Sequence, residues 1–187
     1  MRFNSSLLYI SRMSAEQILA ELDEKLPYSN SEHDVAKRNH YWSAIDMNGN
    51  GYISLAETDR GLLDVIRIPV IFDTKPVIIR AFNAAKTALK AKSKYGDDYV
   101  SKAEFKYLLR YLREYYELWM MFRELDKNND RRVSPVEFAA AGPLLAKWGV
   151  PVCSAEEAFK EIDANNGGFV LFDEFCNWAI AKGASID

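Results

Sequence analysis

Apolar residues recur every three to four positions along most of this chain, the spacing of helices with one buried face. The first such stretch is Ile18, Leu19, Leu22 and Leu26. Ser14 followed three residues later by Gln17 forms a capping box ahead of it, and Pro27 with the polar run Ser29-Asn30-Ser31 closes it. The pattern predicts an amphipathic helix over 14–26 whose apolar stripe packs on the rest of the protein. Further helices are predicted over 31–45, 55–67, 74–91, 102–112, 114–125, 135–147, 155–162 and 172–182. Thr74-Lys75-Pro76 offers a cap and a first-turn proline for the helix at 74–91. The run Ile68-Pro69-Val70-Ile71-Phe72 just before it is too apolar for a solvated linker and is expected to pack beneath the first half of the chain.

Four polar interruptions of this pattern share one layout. From Asp46 to Glu57, side-chain oxygens stand at positions 1, 3, 5 and 12 (Asp46, Asn48, Asn50, Glu57). Tyr52 offers a backbone carbonyl at position 7, Ser54 can hold a bridging water at position 9, and Gly51 at position 6 takes the positive φ of a sharp turn. A hard cation collects oxygens in this arrangement, which is that of an EF-hand calcium loop. Alignment on this loop yields three more, Ser93–Glu104, Asp126–Glu137 and Asp163–Glu174. Position 8 is Ile53, Val100, Val133 and Val170, each β-branched, which suits a very short strand pairing two adjacent loops. The expected fold is all-α: four EF-hands in two paired lobes, with short antiparallel strand pairing between loops. Its divisions are an N-terminal extension with one amphipathic helix (1–30), a first pair of hands (31–113) and a second pair (114–187).

The loops differ as metal sites. The first has good geometry but only two acidic ligands, Asp46 and Glu57. The third has a complete set in Asp126, Asn128, Asp130, the carbonyl of Arg132, Ser134 through water, and Glu137. Its position 6 is Arg131, for which a left-handed conformation costs roughly 1–2 kcal/mol. Lys127, Arg131 and Arg132 also offset its acidic charge. The fourth uses Asp163, Asn165, the carbonyl of Phe169 and Glu174, with Gly168 at the turn; Gly167 and Leu171 leave two places to water. The second is read as dead, because Ser93, Tyr95 and Asp98 stand at positions 1, 3 and 6, and Asp97 with Glu104 cannot enclose a cation alone. Calcium is thus expected at up to three sites, with magnesium competing for the same oxygens.

Length and charge narrow the rest. The chain has 187 residues, 49% of them hydrophobic, enough for a sizeable core. A net charge of −3 argues against nucleic-acid binding. No apolar run approaches the ~20 residues that cross a bilayer. Cys153 and Cys176 read as buried thiols of a reducing compartment, and His33 and His40 as helix-surface residues, so no catalytic site is expected. Neither Met1 nor Met13 is followed by glycine, so the N-myristoylation pattern is absent.

The segments Pro76-Val77-Ile78-Ile79-Arg80-Ala81-Phe82, Trp148-Gly149-Val150, Glu161-Ile162-Asp163-Ala164-Asn165 and Phe172-Asp173-Glu174-Phe175-Cys176-Asn177-Trp178-Ala179 resemble the flagellar calcium-binding proteins of protists, the calflagins. The resemblance runs over 36–182, in register with all four loops. It implies a calcium sensor of paired EF-hands, cytoplasmic and flagellar, whose surface changes on binding and which associates with a protein target or the flagellar membrane. It also implies calcium mainly in the C-terminal pair, whereas residue chemistry makes the loop from Asp46 the best formed. Calflagins begin Met-Gly-Cys, which is acylated; this chain begins Met1-Arg2. Three other readings fit less well. A cytosolic buffer resembling the sarcoplasmic calcium-binding proteins would carry more ligand charge. A calcium-triggered photoprotein needs an apolar cavity with convergent polar groups. A structural module would bind no calcium at all.

Overall fold

A computed structural model describes residues 13–72, 74–89 and 98–184. Helix α1 spans Ala15–Lys25, and its capping box is formed: Gln17 N–H donates to Ser14 Oγ at 3.2 Å and Ser14 N–H to Gln17 Oε1 at 2.9 Å. Helix α2 spans Glu32–Ile45 behind Ser31, whose hydroxyl accepts from Asp34 N–H, and carries both histidines exposed. Helix α3 spans Leu55–Gly61 and runs into a π-helical turn, Leu62–Ile66, that ends on Arg67 at φ 60°. The apolar run folds into the short helix α4, Pro69–Phe72, with Ile68 and Ile71 fully buried as expected.

Helix α5 spans Lys75–Ala85. Thr74 precedes it without capping it, because its buried hydroxyl instead donates 2.8 Å to the Val70 carbonyl. The helix stops at Ala85 and a turn follows, short of the expected end; residues 90 and 91 lie outside the described residues. Helix α6, Phe105–Leu125, is one helix of 21 residues where two were expected. No glycine or proline interrupts the chain near Arg113, so the hydrogen-bond ladder continues. The single helix expected over 135–147 is instead two, α7 (Pro135–Ala140) and α8 (Gly142–Lys147). Pro143 lacks the N–H a continuing helix would donate. Helices α9 (Ala155–Ile162) and α10 (Phe172–Lys182) fall where expected.

Strand β1 (Tyr52–Ile53) pairs antiparallel with β2 (Val100–Ser101), placing Ile53 opposite Val100. Val133 and Val170 form the matching bridge, exchanging two N–H···O bonds of 2.9 Å. The four β-branched position-8 residues therefore pair first with second and third with fourth, and all four are buried.

The chain divides into two compact units, one ending at Tyr115 and one starting at Tyr116, the division falling inside α6. In the first, Trp42 meets Phe105 edge-on at 5.3 Å. In the second, Phe122 lies 5.7 Å from both Phe172 and Phe175, and Phe138 lies 5.9 Å from Trp178. Met121 and Phe122 belong to this buried core. Cys176 is buried, but Cys153 is exposed, which corrects the expectation of two buried thiols. It stands in the irregular stretch between α8 and α9, where no helix face covers it. Among the described residues no helix is long and apolar enough to cross a membrane.

Candidate metal centres

Each of the three candidate loops, Asp46–Glu57, Asp126–Glu137 and Asp163–Glu174, is built on the aspartate that directly follows its incoming helix. Asp46 accepts from Asn50 N–H at 3.1 Å and Gly51 N–H at 3.0 Å, one through each carboxylate oxygen. Asp126 does the same with Asp130 and Arg131 at 3.1 and 2.9 Å, and Asp163 with Gly167 and Gly168 at 2.8 and 2.9 Å. These N–H groups point inward because the chain reverses there. Position 6 is left-handed in all three loops: Gly51 at φ 81°, Arg131 at 67° and Gly168 at 80°. Arg131 thus adopts the conformation that only glycine takes without strain.

Position 4 is left-handed too, at Gly49, Asn129 and Asn166, a second turn that sequence reasoning did not single out. The signal was present, since glycine and asparagine are the residues that tolerate this region.

The other end of each loop is fixed by its glutamate, which stands at the third position of the outgoing helix. Glu57 Oε2 accepts from Ser54 N–H at 2.8 Å and Ser54 Oγ–H at 2.7 Å. Glu137 accepts from Ser134 at the same two distances. The Ser134 hydroxyl, followed by its N–H, holds the Glu137 carboxyl below the usual carboxylate range despite an opposing desolvation effect. At Glu174 the cap residue supplies only its backbone, Leu171 N–H donating to Oε2 at 3.0 Å, since leucine has no hydroxyl to add.

Between these ends the neutral ligands converge unequally. In the first loop Asn48 Oδ1 shares Asn50 N–H with Asp46, at 2.9 Å, while its Nδ2 reaches Glu57 Oε1 at 3.5 Å. Asn50 Oδ1 accepts from Tyr52 N–H at 2.8 Å. In the third loop Asn128 Oδ1 likewise shares Asp130 N–H with Asp126, and Lys127 N–H donates to Glu137 Oε1 at 3.1 Å. Asp130 is drawn aside: Oδ1 accepts from Arg132 N–H and Oδ2 pairs with the Arg132 guanidinium at 3.3 Å. In the fourth loop Asn165 turns its amide nitrogen to Glu174 Oε1 at 2.6 Å. A Cβ at Gly167 would lie 2.5 Å from Asn165 Oδ1, so the asparagine carbonyl sits where a position-5 side chain would begin. Tyr52, Arg132 and Phe169 hold position 7, one residue before the paired position 8. Among the described residues no three carboxylate, histidine or cysteine side chains gather on one point. Each of the three candidate loops therefore offers an aspartate and a glutamate held by backbone N–H groups, with further side-chain and carbonyl oxygens between them. That all-oxygen donor set fits a hard divalent cation.

In the second loop Ser93, Tyr95 and Asp97 lie outside the described residues. Its end keeps the shared frame, Glu104 Oε2 accepting from Ser101 N–H at 2.9 Å and Ser101 Oγ–H at 2.6 Å, yet the buried Oε1 has no hydrogen-bond partner among the described residues. Asp98, at its position 6, is exposed and pairs with Lys86 at 3.3 Å.

Comparison with known proteins agrees with this geometry. A family model described as the FCaBP EF-hand domain matches residues 22–112, and one for an EF-hand domain pair matches 115–180. Flagellar calcium-binding protein TB-24 of Trypanosoma brucei brucei is 33% identical over 159 residues, covering 84% of this chain and 73% of that one. The flagellar calcium-binding protein of Trypanosoma cruzi is 31% identical over 160 residues, covering 84% and 76%. Among solved structures, a homolog of programmed cell death 6 protein from Leishmania major Friedlin aligns at a TM-score of 0.41 with 18% identity, over 83% of this chain and 77% of that one. With its loops built on this plan and its length shared with these relatives, the chain belongs to the EF-hand family of flagellar calcium-binding proteins.

Proposed function

We propose that this protein is a calcium sensor, taking up calcium at the loops Asp46–Glu57, Asp126–Glu137 and Asp163–Glu174 and altering its exposed surface in response. The observation that carries the reading is the double role of Glu57, Glu137 and Glu174. Each closes its loop and also sits in the first turn of its outgoing helix. A force on the carboxylate is therefore a force on the helix, the linkage a sensor needs to turn metal uptake into movement. Bound calcium would supply a divalent charge around which these oxygens gather, six to eight in number. The buried aspartates Asp46, Asp126 and Asp163 hold each loop closed beforehand through backbone N–H groups, so part of the ordering precedes binding. Asn48, Asn50, Asn128, Asp130 and Asn165 complete the ligand sets, with the Tyr52, Arg132 and Phe169 carbonyls; magnesium competes for them. We read its setting as the cytoplasm of a flagellum, a reading that relatives named flagellar support, and its partner as a protein target.

Calorimetry on wild type and on Glu57→Gln, Glu137→Gln and Glu174→Gln tests this. Each substitution is expected to weaken its own loop by roughly tenfold or more, since affinity follows ligand charge. Tryptophan emission should respond to calcium in the wild type, Trp42 reporting on the first hand. Three unchanged calorimetric profiles would remove the metal assignment, and silent emission with normal uptake would leave a buffer.

A further inference from the structure

Helix α1 is bound to the first unit as a ligand would be. Its anchors Ile18, Leu22 and Leu26 are spaced i, i+4, i+8, and all are buried, Leu22 completely. Its polar contacts reach three separate helical segments. Lys25 Nζ donates to the Arg67 carbonyl at 2.9 Å, where the outgoing helix of the first hand ends. From α2, the incoming helix of that hand, Lys37 donates to the Glu24 carbonyl at 2.6 Å and Arg38 to the Pro27 carbonyl at 2.7 Å. From α6, the outgoing helix of the second hand, Arg113 pairs with Asp23 Oδ1 at 2.9 Å. Tyr28 O–H donates to the same Asp23 oxygen.

Two consequences follow. Paired hands expose an apolar face when their outgoing helices swing away from their incoming ones. With α1 strapped to both helices of the first hand and to one of the second, that swing requires α1 to let go. The chemistry of the seat is also that of helix recognition: apolar anchors at helical spacing, cations at the negative helix end, and an arginine on an acidic side chain. We infer that α1 is the resident occupant of a docking face on the first unit, and that an amphipathic helix of a partner protein binds there by replacing it. Such a helix carries apolar residues at i, i+4 and i+8 with an acidic residue directly after the second. Calcium dependence of the exchange rests on the function proposed above; the exchange itself rests on these contacts.

Only residues 26–31 join α1 to α2, so the tethered helix competes at an effective concentration in the millimolar range. Loosening it should therefore reveal the face. Asp23 is exposed, so Asp23→Arg opposes Arg113 without disturbing the core, and Arg113→Glu added to it restores an opposite pair. Full-length wild type, the single and the double variant are compared by amide hydrogen exchange over 15–26 and by anisotropy of a labelled synthetic peptide with the sequence of 14–29. The single variant should exchange α1 amides about fivefold faster and bind the peptide about fivefold tighter than wild type. The double variant should regain slow exchange and lose the peptide, whose own aspartate then meets a carboxylate. Unchanged exchange in the single variant, or no peptide binding by any chain, overturns the inference and makes α1 a fixed part of the core. Dimerisation of the single variant, or its uptake by phosphatidylserine vesicles without peptide binding, overturns the helical partner in favour of a second copy or a membrane surface. Calcium calorimetry on the same chains keeps the two readings apart: no calcium heat with the exchange pattern intact removes the sensor and retains the docking face.

Discussion

Arg131 carries a cost that its counterparts avoid. Its φ of 67° matches Gly51 and Gly168 in place but not in residue type. Arg131→Gly removes roughly 1 kcal/mol of strain and a positive charge beside the ligands. Calorimetry should show the third loop binding calcium about fivefold or more tighter, with the first loop unchanged. Ser134 acts through Glu137. Because the folded carboxyl titrates below its ordinary value, its contribution to stability is complete above that ordinary value and fades as pH falls through the lowered one. Ser134→Ala removes the hydroxyl and should shift the acid limb of calcium uptake at this loop to higher pH. It should also cost about 1 kcal/mol as a lost helix cap, read by denaturant titration. The loop frames were legible in the sequence because an aspartate at position 1 and a glutamate at position 12 stand at fixed offsets. The diversion of Asp130 to Arg132 was not, since it depends on where a long, flexible guanidinium settles.

At the scale of elements, the sequence located helices well and their interruptions poorly. Helices α9 and α10 follow from apolar periodicity bounded by clear loop residues. The π-helical turn after Gly61 has no such mark; it arises where α3 passes α2 with no room for a side chain. A methyl at Gly61 would meet Ile45 Cδ1 at 2.6 Å and Cγ2 at 3.2 Å, so both branches of a buried isoleucine block it. Gly61→Ala would gain up to ~1 kcal/mol on helix propensity alone. Overpacking should reverse the sign, giving a net loss of about 1–2 kcal/mol in chemical denaturation. A stabilised variant would show instead that α2 and α3 can move apart at little cost. Helix α6 and the break at Pro143 make the complementary point: local residues decide whether a helix continues, and the expected boundary near Arg113 lacked a breaker.

For the whole molecule, the pairing of hands was readable from four β-branched residues at one loop position, because a two-residue strand needs little else to specify it. What joins the third and fourth loops beyond that bridge was not readable. The Arg132 guanidinium lies 4.6 Å from the centre of the Phe169 ring, on side chains that flank the Val133–Val170 pair. Such a contact contributes about 0.5–1 kcal/mol at an exposed site. Phe169→Ala should leave both loops able to bind while reducing the Hill coefficient of their joint titration. An unchanged coefficient would assign the coupling to the bridge alone. If both loops take calcium as proposed, this contact would share the conformational freedom lost in arranging one loop with its neighbour, so that a second cation would meet a partly arranged site. The pair would then pass from empty to full over a narrower span of calcium concentration than either loop alone, turning a graded ionic signal toward a threshold.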